Sequence, residues 1–183
     1  LGGFANAGDV DGDGIDDLLV GSPGADGELL QTGLIELFAG GPDGPGASPS
    51  WSVQGPAESA AIGLPTRLSA GDIDGDGHAD VVYGSALLQT AWVHYGGPQG
   101  LSLSPDEAMA SPYANIVFGE ALVLGGDQGG DGLADLVISA PEQTCYLSSS
   151  AGSLYVYPGD AAGHPAAAQP TSSILCSEAQ NRL

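Results

Sequence analysis

Asp9-Val10-Asp11-Gly12-Asp13-Gly14-Ile15-Asp16-Asp17, followed at once by Leu18-Leu19-Val20-Gly21-Ser22-Pro23, is the stretch whose reading decides the fold. It returns as Asp72-Ile73-Asp74-Gly75-Asp76-Gly77-His78-Ala79-Asp80 before Val81-Val82-Tyr83-Gly84-Ser85. A third copy, Asp127-Gln128-Gly129-Gly130-Asp131-Gly132-Leu133-Ala134-Asp135, precedes Leu136-Val137-Ile138-Ser139-Ala140-Pro141. Carboxylates stand at positions 1, 3, 5 and 9 of the first two copies and at 1, 5 and 9 of the third, with glycine at position 6 each time.

Alternating acidic residues in a tight loop describe a cage for a hard cation. Calcium takes six to eight oxygens, and side chains at every second residue of a loop can converge on one point. Position 6 must turn sharply with positive φ, which glycine adopts at little steric cost. Position 7 then offers only its backbone carbonyl, so Ile15, His78 and Leu133 are free to differ. Two like charges about 4 Å apart repel by roughly 4 kcal/mol at an effective dielectric of 20, and a divalent cation removes that repulsion. The helical calcium loop needs Glu at position 12. Here that position holds Val20, Tyr83 and Ile138. The apolar, β-branched run that follows reads as a buried strand, so these are calcium loops between strands. A series of plain Asp-Gly turns is the competing reading, and three copies in one repeat frame weigh against it.

The 183 residues suffice for one domain with a core. With 31 Gly, 13 Pro and no long amphipathic stretch, an all-β chain with many turns is expected. There is no lysine; Arg67 and Arg182 are the only strongly basic side chains. A net charge of −21 argues against nucleic acid and anionic membrane surfaces as partners. Eleven of the 23 acidic residues occupy the ligand positions of the three loops. No run reaches the ~18 apolar residues of a membrane span. Cys145 and Cys176 lack metal-ligand spacing; an even count in a calcium-loaded β protein points to a disulfide in an oxidising compartment, with two buried thiols as the alternative.

The loops begin at residues 9, 72 and 127, and each sits in the same series of parts. A small-residue segment comes first, introduced by Ile62-Gly63 in the second copy and Phe118-Gly119 in the third. The loop and its apolar strand follow. Next is a strand with an aromatic end: Gly33 to Gly40, Thr90 to Gly97 and Gly152 to Gly159. After a Gly/Pro turn comes a weaker outer strand near Ser50 to Gln54, Asp106 to Ala110 and Ser172 to Ser177. Four strands in about 60 residues are the make-up of a propeller blade.

The Phe-Gly opening, the Gly-Asp-x-Asp-Gly-Asp-Gly-x-x-Asp loop and the Gly-Ser/Ala-Pro ending together resemble the FG-GAP repeat of integrin α-subunit propellers and their prokaryotic relatives. The resemblance runs over essentially the whole chain and implies three four-stranded antiparallel blades: residues 1–61, 62–117 and 118–183. It implies one Ca²⁺ site formed by Asp9, Asp11, Asp13, the Ile15 carbonyl and Asp17, and a second formed by Asp72, Asp74, Asp76, the His78 carbonyl and Asp80. A third, of Asp127, Asp131, the Leu133 carbonyl and Asp135, is expected to be weaker because Gly129 replaces the oxygen ligand at position 3. Three blades cannot close a ring. The expectation is a fragment of a larger propeller cut at repeat boundaries, or a homo-oligomer that completes one.

No nucleophile elbow, His-Glu-x-x-His or phosphate-cradling loop is present. His78 serves as a carbonyl donor, and neither His94 nor His164 has a catalytic neighbour pattern. Trp51, Trp92 and Tyr113 fit either a sugar-stacking surface or core. The reading is a non-catalytic, calcium-binding adhesion or recognition module with a protein or glycan ligand, placed outside the cell, at its surface or in a periplasm. The alternatives are a calcium-stabilised lectin and an accessory domain of a secreted hydrolase.

Overall fold

The structure, a computed structural model, describes residues 2–111, 117–124, 126–141 and 152–161, together with the backbone of 172–175. Cys145, Cys176, Tyr113, His164 and Arg182 lie outside the described residues, and with them the expected disulfide.

Among the described residues, twelve strands form three four-stranded antiparallel sheets, as the repeat implied. The first sheet orders β1 (Gly3–Gly8), β2 (Asp17–Ser22), β3 (Leu34–Phe38) and β4 (Trp51–Gln54). The second orders β5 (Leu68–Gly71), β6 (Asp80–Ser85), β7 (Thr90–His94) and β8 (Glu107–Ala110). The third comprises β9 (Leu122–Leu124), β10 (Leu136–Ala140), β11 (Ser153–Tyr157) and β12 (Ser172–Leu175) in the same serial order. Each of the three loops joins the first two strands of its sheet. A 3₁₀ turn at Pro65–Arg67 leads into β5.

The side-chain period of two decides how the sheets stack. In β2 and β10, alternate residues are buried, as suits a strand covered on one face. All six residues of β6 are buried, because the second sheet lies between the other two. Its neighbours Val81 and Val82 point to opposite sides. Val81 and Tyr83 join Leu19, Ile35, Leu37 and Trp51 in the core between the first two sheets. Val82 and Val93 join Leu136, Ile138, Tyr155 and Phe118 in the core between the second and third.

The segment before each later sheet wedges into the seam. Ile62 and Phe118 are fully buried. The glycines after them, Gly63 and Gly119, have φ of +85° and +80°, a turn that only glycine makes without strain. At the first seam the backbones nearly touch: a Cβ on Gly21 would overlap the Gly63 carbonyl oxygen. At the second, Arg67 reaches across to Glu120, donating to its side chain at 2.6 Å and to its backbone carbonyl at 3.2 Å.

Candidate functional site

Each loop is wound around its first aspartate. In the first loop the Asp9 Oδ1 accepts from the N–H groups of Gly12 (2.8 Å) and Asp13 (3.0 Å), and its Oδ2 from Gly14 (2.9 Å). Asp72 accepts from Gly75 at 2.6 Å and Gly77 at 3.0 Å. Asp127 accepts from Gly130, from Asp131 at 3.0 Å and from Gly132 at 2.8 Å. The position-6 glycines turn as expected, with φ of +91° at Gly14 and Gly77 and +92° at Gly132.

The winding draws acidic groups together in two of the loops. Oxygens of Asp9, Asp11 and Asp13 lie within 4.8 Å of one another, as do those of Asp72, Asp74 and Asp80. The two trios are not the same three positions. In the first loop Asp17 stands outside the trio, its oxygens accepting from Val10 (3.1 Å) and Gly40 (2.7 Å). Asp80 keeps the equivalent bonds, from Ile73 at 2.7 Å and Gly96 at 2.8 Å, and still joins its trio. Asp76 is the member left out there, with Oδ1 taken by the His78 N–H at 2.8 Å and facing His78 Nδ1 at 3.2 Å. In the third loop no such trio forms among the described residues. Gly129 presents a backbone N–H where the others present a carboxylate, and that N–H and the one of Gln128 both donate to Asp135. Ile15, at the first loop's tip, donates its N–H to Asp13, and Leu133 donates likewise to Asp131.

These carboxylates sit in an unfavourable field. Asp80 is fully buried, and its burial pushes the carboxyl up to about 7 against two backbone N–H donors, with Asp74 and Asp72 adding to the rise. Burial also raises Asp17 and Asp74, the other acids of each loop reinforcing it. Asp127 goes the other way: it is exposed, and the N–H of Gly132, then those of Gly130, Asp131 and Gly129, hold it below the usual range. A site made wholly of oxygen donors, crowded and partly desolvated, suits a hard divalent cation in the first two loops.

Two features had no counterpart in the sequence reading. Glycine at position 4 also has positive φ, +77° at Gly12 and Gly75 and +79° at Gly130. At two of the three the next loop adds a second demand: a Cβ on Gly12 would meet His78 Nε2 at 2.6 Å, and one on Gly75 would overlap Leu133, while Gly130 has open space around it. Secondly, adjacent loops are joined by backbone hydrogen bonds. Ala79 N–H donates to Asp9 O at 2.8 Å and Gly97 N–H to Val10 O at 2.9 Å. Ala134 N–H donates to Asp72 O and Asp160 N–H to Ile73 O, both at 3.1 Å. The signal was there, since glycine stands at position 4 in all three copies.

The aromatic residues set aside for sugar stacking are placed otherwise. Trp51 is 5% exposed, donates to Ser102 O at 2.8 Å and meets His94 edge-on, with centroids 4.9 Å apart. Trp92 stacks on Tyr83 at 5.4 Å. Trp51 is core and the half-buried Trp92 packs against the same core, the placement weighed as the alternative to a sugar-stacking surface. His94 is buried and bonded to Tyr83 and Ser102 O, its pKa lowered by burial, which fits a structural histidine.

Residues 9–83 match the family described as FG-GAP-like repeat. The chain is 35% identical to integrin alpha-5 of Xenopus laevis over 112 residues, 56% of this chain and 10% of that protein. It is 29% identical to integrin alpha-PS2 of Drosophila melanogaster over 154 residues, 72% of this chain and 11% of that protein. Against integrin alpha-IIb of Homo sapiens the identity is 32% over 145 residues, 72% of this chain and 14% of that protein. The chain therefore spans about a tenth of the length of these relatives.

Proposed function

The chain belongs to the integrin α-like FG-GAP repeat family, and we propose that it is a calcium-stabilised, non-catalytic recognition segment of a β-propeller that works outside the cell. The observation that carries this reading is the convergence of three carboxylates in each of the first two loops, on a loop that recurs at each sheet's first turn. Asp9, Asp11, Asp13, Asp17 and the Ile15 carbonyl would hold the first ion. Asp72, Asp74, Asp76, Asp80 and the His78 carbonyl would hold the second. Asp127, Asp131, Asp135 and the Leu133 carbonyl make a weaker third site.

Bound calcium supplies positive charge to a turn that otherwise concentrates negative charge, so its binding free energy becomes folding free energy. The chain's own residues do the rest. Asp9, Asp72 and Asp127 wind the backbone, and Asp17, Asp80 and Asp135 tie it to the end of the third strand through Gly40, Gly96 and Gly159. The result is a stiff edge, and the partner, a protein or a glycan, is recognised elsewhere on the blades.

Blade limits at 1–61, 62–117 and 118–183 follow from this reading. The outer faces of the first and third sheets support a larger ring or self-association. Phe4 is 77% exposed, and Val123 and Leu154 border an open apolar groove with Val137. Sheets of the same kind would cover both faces.

The test is thermal unfolding with calcium and with excess EGTA. At about 10 mM calcium, a site with a dissociation constant near 10⁻⁴ M adds about 2.7 kcal/mol, so two sites raise Tm by roughly 10–20 °C. Coincident melts refute the reading.

A further inference from the structure

The loops do not stand apart from one another. Ala79 lies between the two residues that close the second site, His78 through its carbonyl and Asp80 through its carboxylate. Its N–H donates to the carbonyl of Asp9, the residue around which the first loop is wound. Ala134, between Leu133 and Asp135, does the same for Asp72. Beside each bond, the position-7 side chain of one loop covers the position-4 glycine of the loop before it: His78 over Gly12, Leu133 over Gly75.

We infer that the loops bind their cations as a coupled row rather than independently, each loop ordering its predecessor through the Ala79–Asp9 and Ala134–Asp72 hydrogen bonds and through the side chains of His78 and Leu133. This rests on the calcium reading above and deepens it by adding regulation between sites. Closing the second loop on a cation fixes His78 and Asp80, and so fixes the peptide between them and the direction of its N–H. Asp9 is then held at its carbonyl before a cation reaches the first loop. The second binding event has less freedom left to remove, which is positive cooperativity without a change of fold. Through-space electrostatics predicts the opposite sign, because two cations repel. The sign of the coupling is therefore diagnostic.

The amides of Gly14 and Gly77 each donate to the first aspartate of their own loop, so each reports its own site. The experiment is a calcium chloride titration of the ¹⁵N-labelled chain, following these amide signals in wild type, Asp74→Asn, His78→Ala and His78→Leu. Asp74 accepts one N–H, from Asp76, which an asparagine oxygen can still accept. In Asp74→Asn the calcium midpoint at Gly14 should rise about fivefold or more, with strand amides unmoved. His78→Ala, which keeps the carbonyl ligand, should raise it too. His78→Leu should restore it, because Leu133 fills the equivalent place. An unchanged or lowered Gly14 midpoint in Asp74→Asn overturns the coupling, and equal midpoints in His78→Ala and His78→Leu overturn the part given to the side chain. If neither glycine amide of the wild type responds to calcium up to about 10 mM, the calcium reading itself fails, a result distinct from the other two.

Discussion

Replacing Asp80 by Asn should stabilise the calcium-free protein and weaken its response to calcium. The carboxyl of Asp80 rises from 3.8 to about 7 on folding, chiefly because it is buried. Roughly three pKa units correspond to about 4 kcal/mol by which ionised Asp80 opposes folding without a cation. Asparagine removes the charge. It also replaces one of two acceptors, so its amide oxygen can serve the N–H of Ile73 or of Gly96, and the other donor loses its partner. A buried donor left in that state costs about 1–3 kcal/mol. The net gain in EGTA is therefore about 1–3 kcal/mol. In calcium the wild type recovers about 2.7 kcal/mol at this site and the variant, short of a ligand, recovers little, so the advantage disappears.

Urea denaturation at 25 °C, at pH 8 with EGTA and again with 10 mM calcium, measures both differences by linear extrapolation. A pH series adds an independent check. A carboxyl raised in the folded state contributes stability that is present in full below its unfolded value near 3.8 and is lost as pH rises through about 7. In EGTA the wild type should thus lose stability between about pH 4 and 7, by up to about 1.4 kcal/mol per unit at the steepest, while Asp80→Asn changes less. If Asp80→Asn is the less stable protein in EGTA, or if the two proteins differ equally with and without calcium, the buried charge is not what the cation relieves.

Gly129→Asp should strengthen the third site. Gly129 lacks positive φ, and a Cβ there makes only ordinary contacts, 3.8 Å from Asp131 Oδ2 and 4.0 Å from Asp127 Oδ1, so a carboxylate can enter without strain. Calorimetric titration should show tighter binding at one site than in wild type, and identical isotherms would refute the assignment. Gly21→Ala should destabilise by about 3 kcal/mol, the upper end of the usual overpacking range, since its methyl would overlap the Gly63 carbonyl, a backbone group that cannot turn aside. A loss below about 1 kcal/mol in urea denaturation would mean that the first two sheets are not packed as closely as described.

What could be read from the sequence is what repeats locally. The strands after each loop and the positive φ at Gly14, Gly77 and Gly132 follow from alternation and from glycine at fixed offsets, and the order within each sheet from the resemblance to the repeat. Contacts between sheets left no such pattern. Nothing near Arg67 in sequence points to its partner Glu120, which lies 53 residues away. Trp51 could be weighed only by residue type, and it is the contact across the seam with the second sheet's His94 that makes it core. Nor could spacing tell that Asp17 and Asp80, alike in sequence, differ in whether they join the trio.

The glycines show why the loop is so visible while its neighbours are not. A ligand cage by itself requires glycine at position 6. Position 4 needs glycine for its own positive φ, and at Gly12 and Gly75 also because the following loop sits on it, while Gly40, Gly96 and Gly159 are small because each passes close to the carbonyl at position 8 of its own loop. The same nine residues therefore meet demands from within the turn, from their own third strand and from the adjacent sheet. Substitutions at Gly12 and Gly75 strain the stack as well as the cage, whereas those at Gly14 and Gly77, with open space around a Cβ, strain the cage alone. A change at an acidic position such as Asp11, which donates nothing to the seam among the described hydrogen bonds, strains the cage alone. Calcium sensitivity and sheet packing are separable at Asp11, Gly14 and Gly77, and inseparable at Gly12, Gly75 and the buried Asp80.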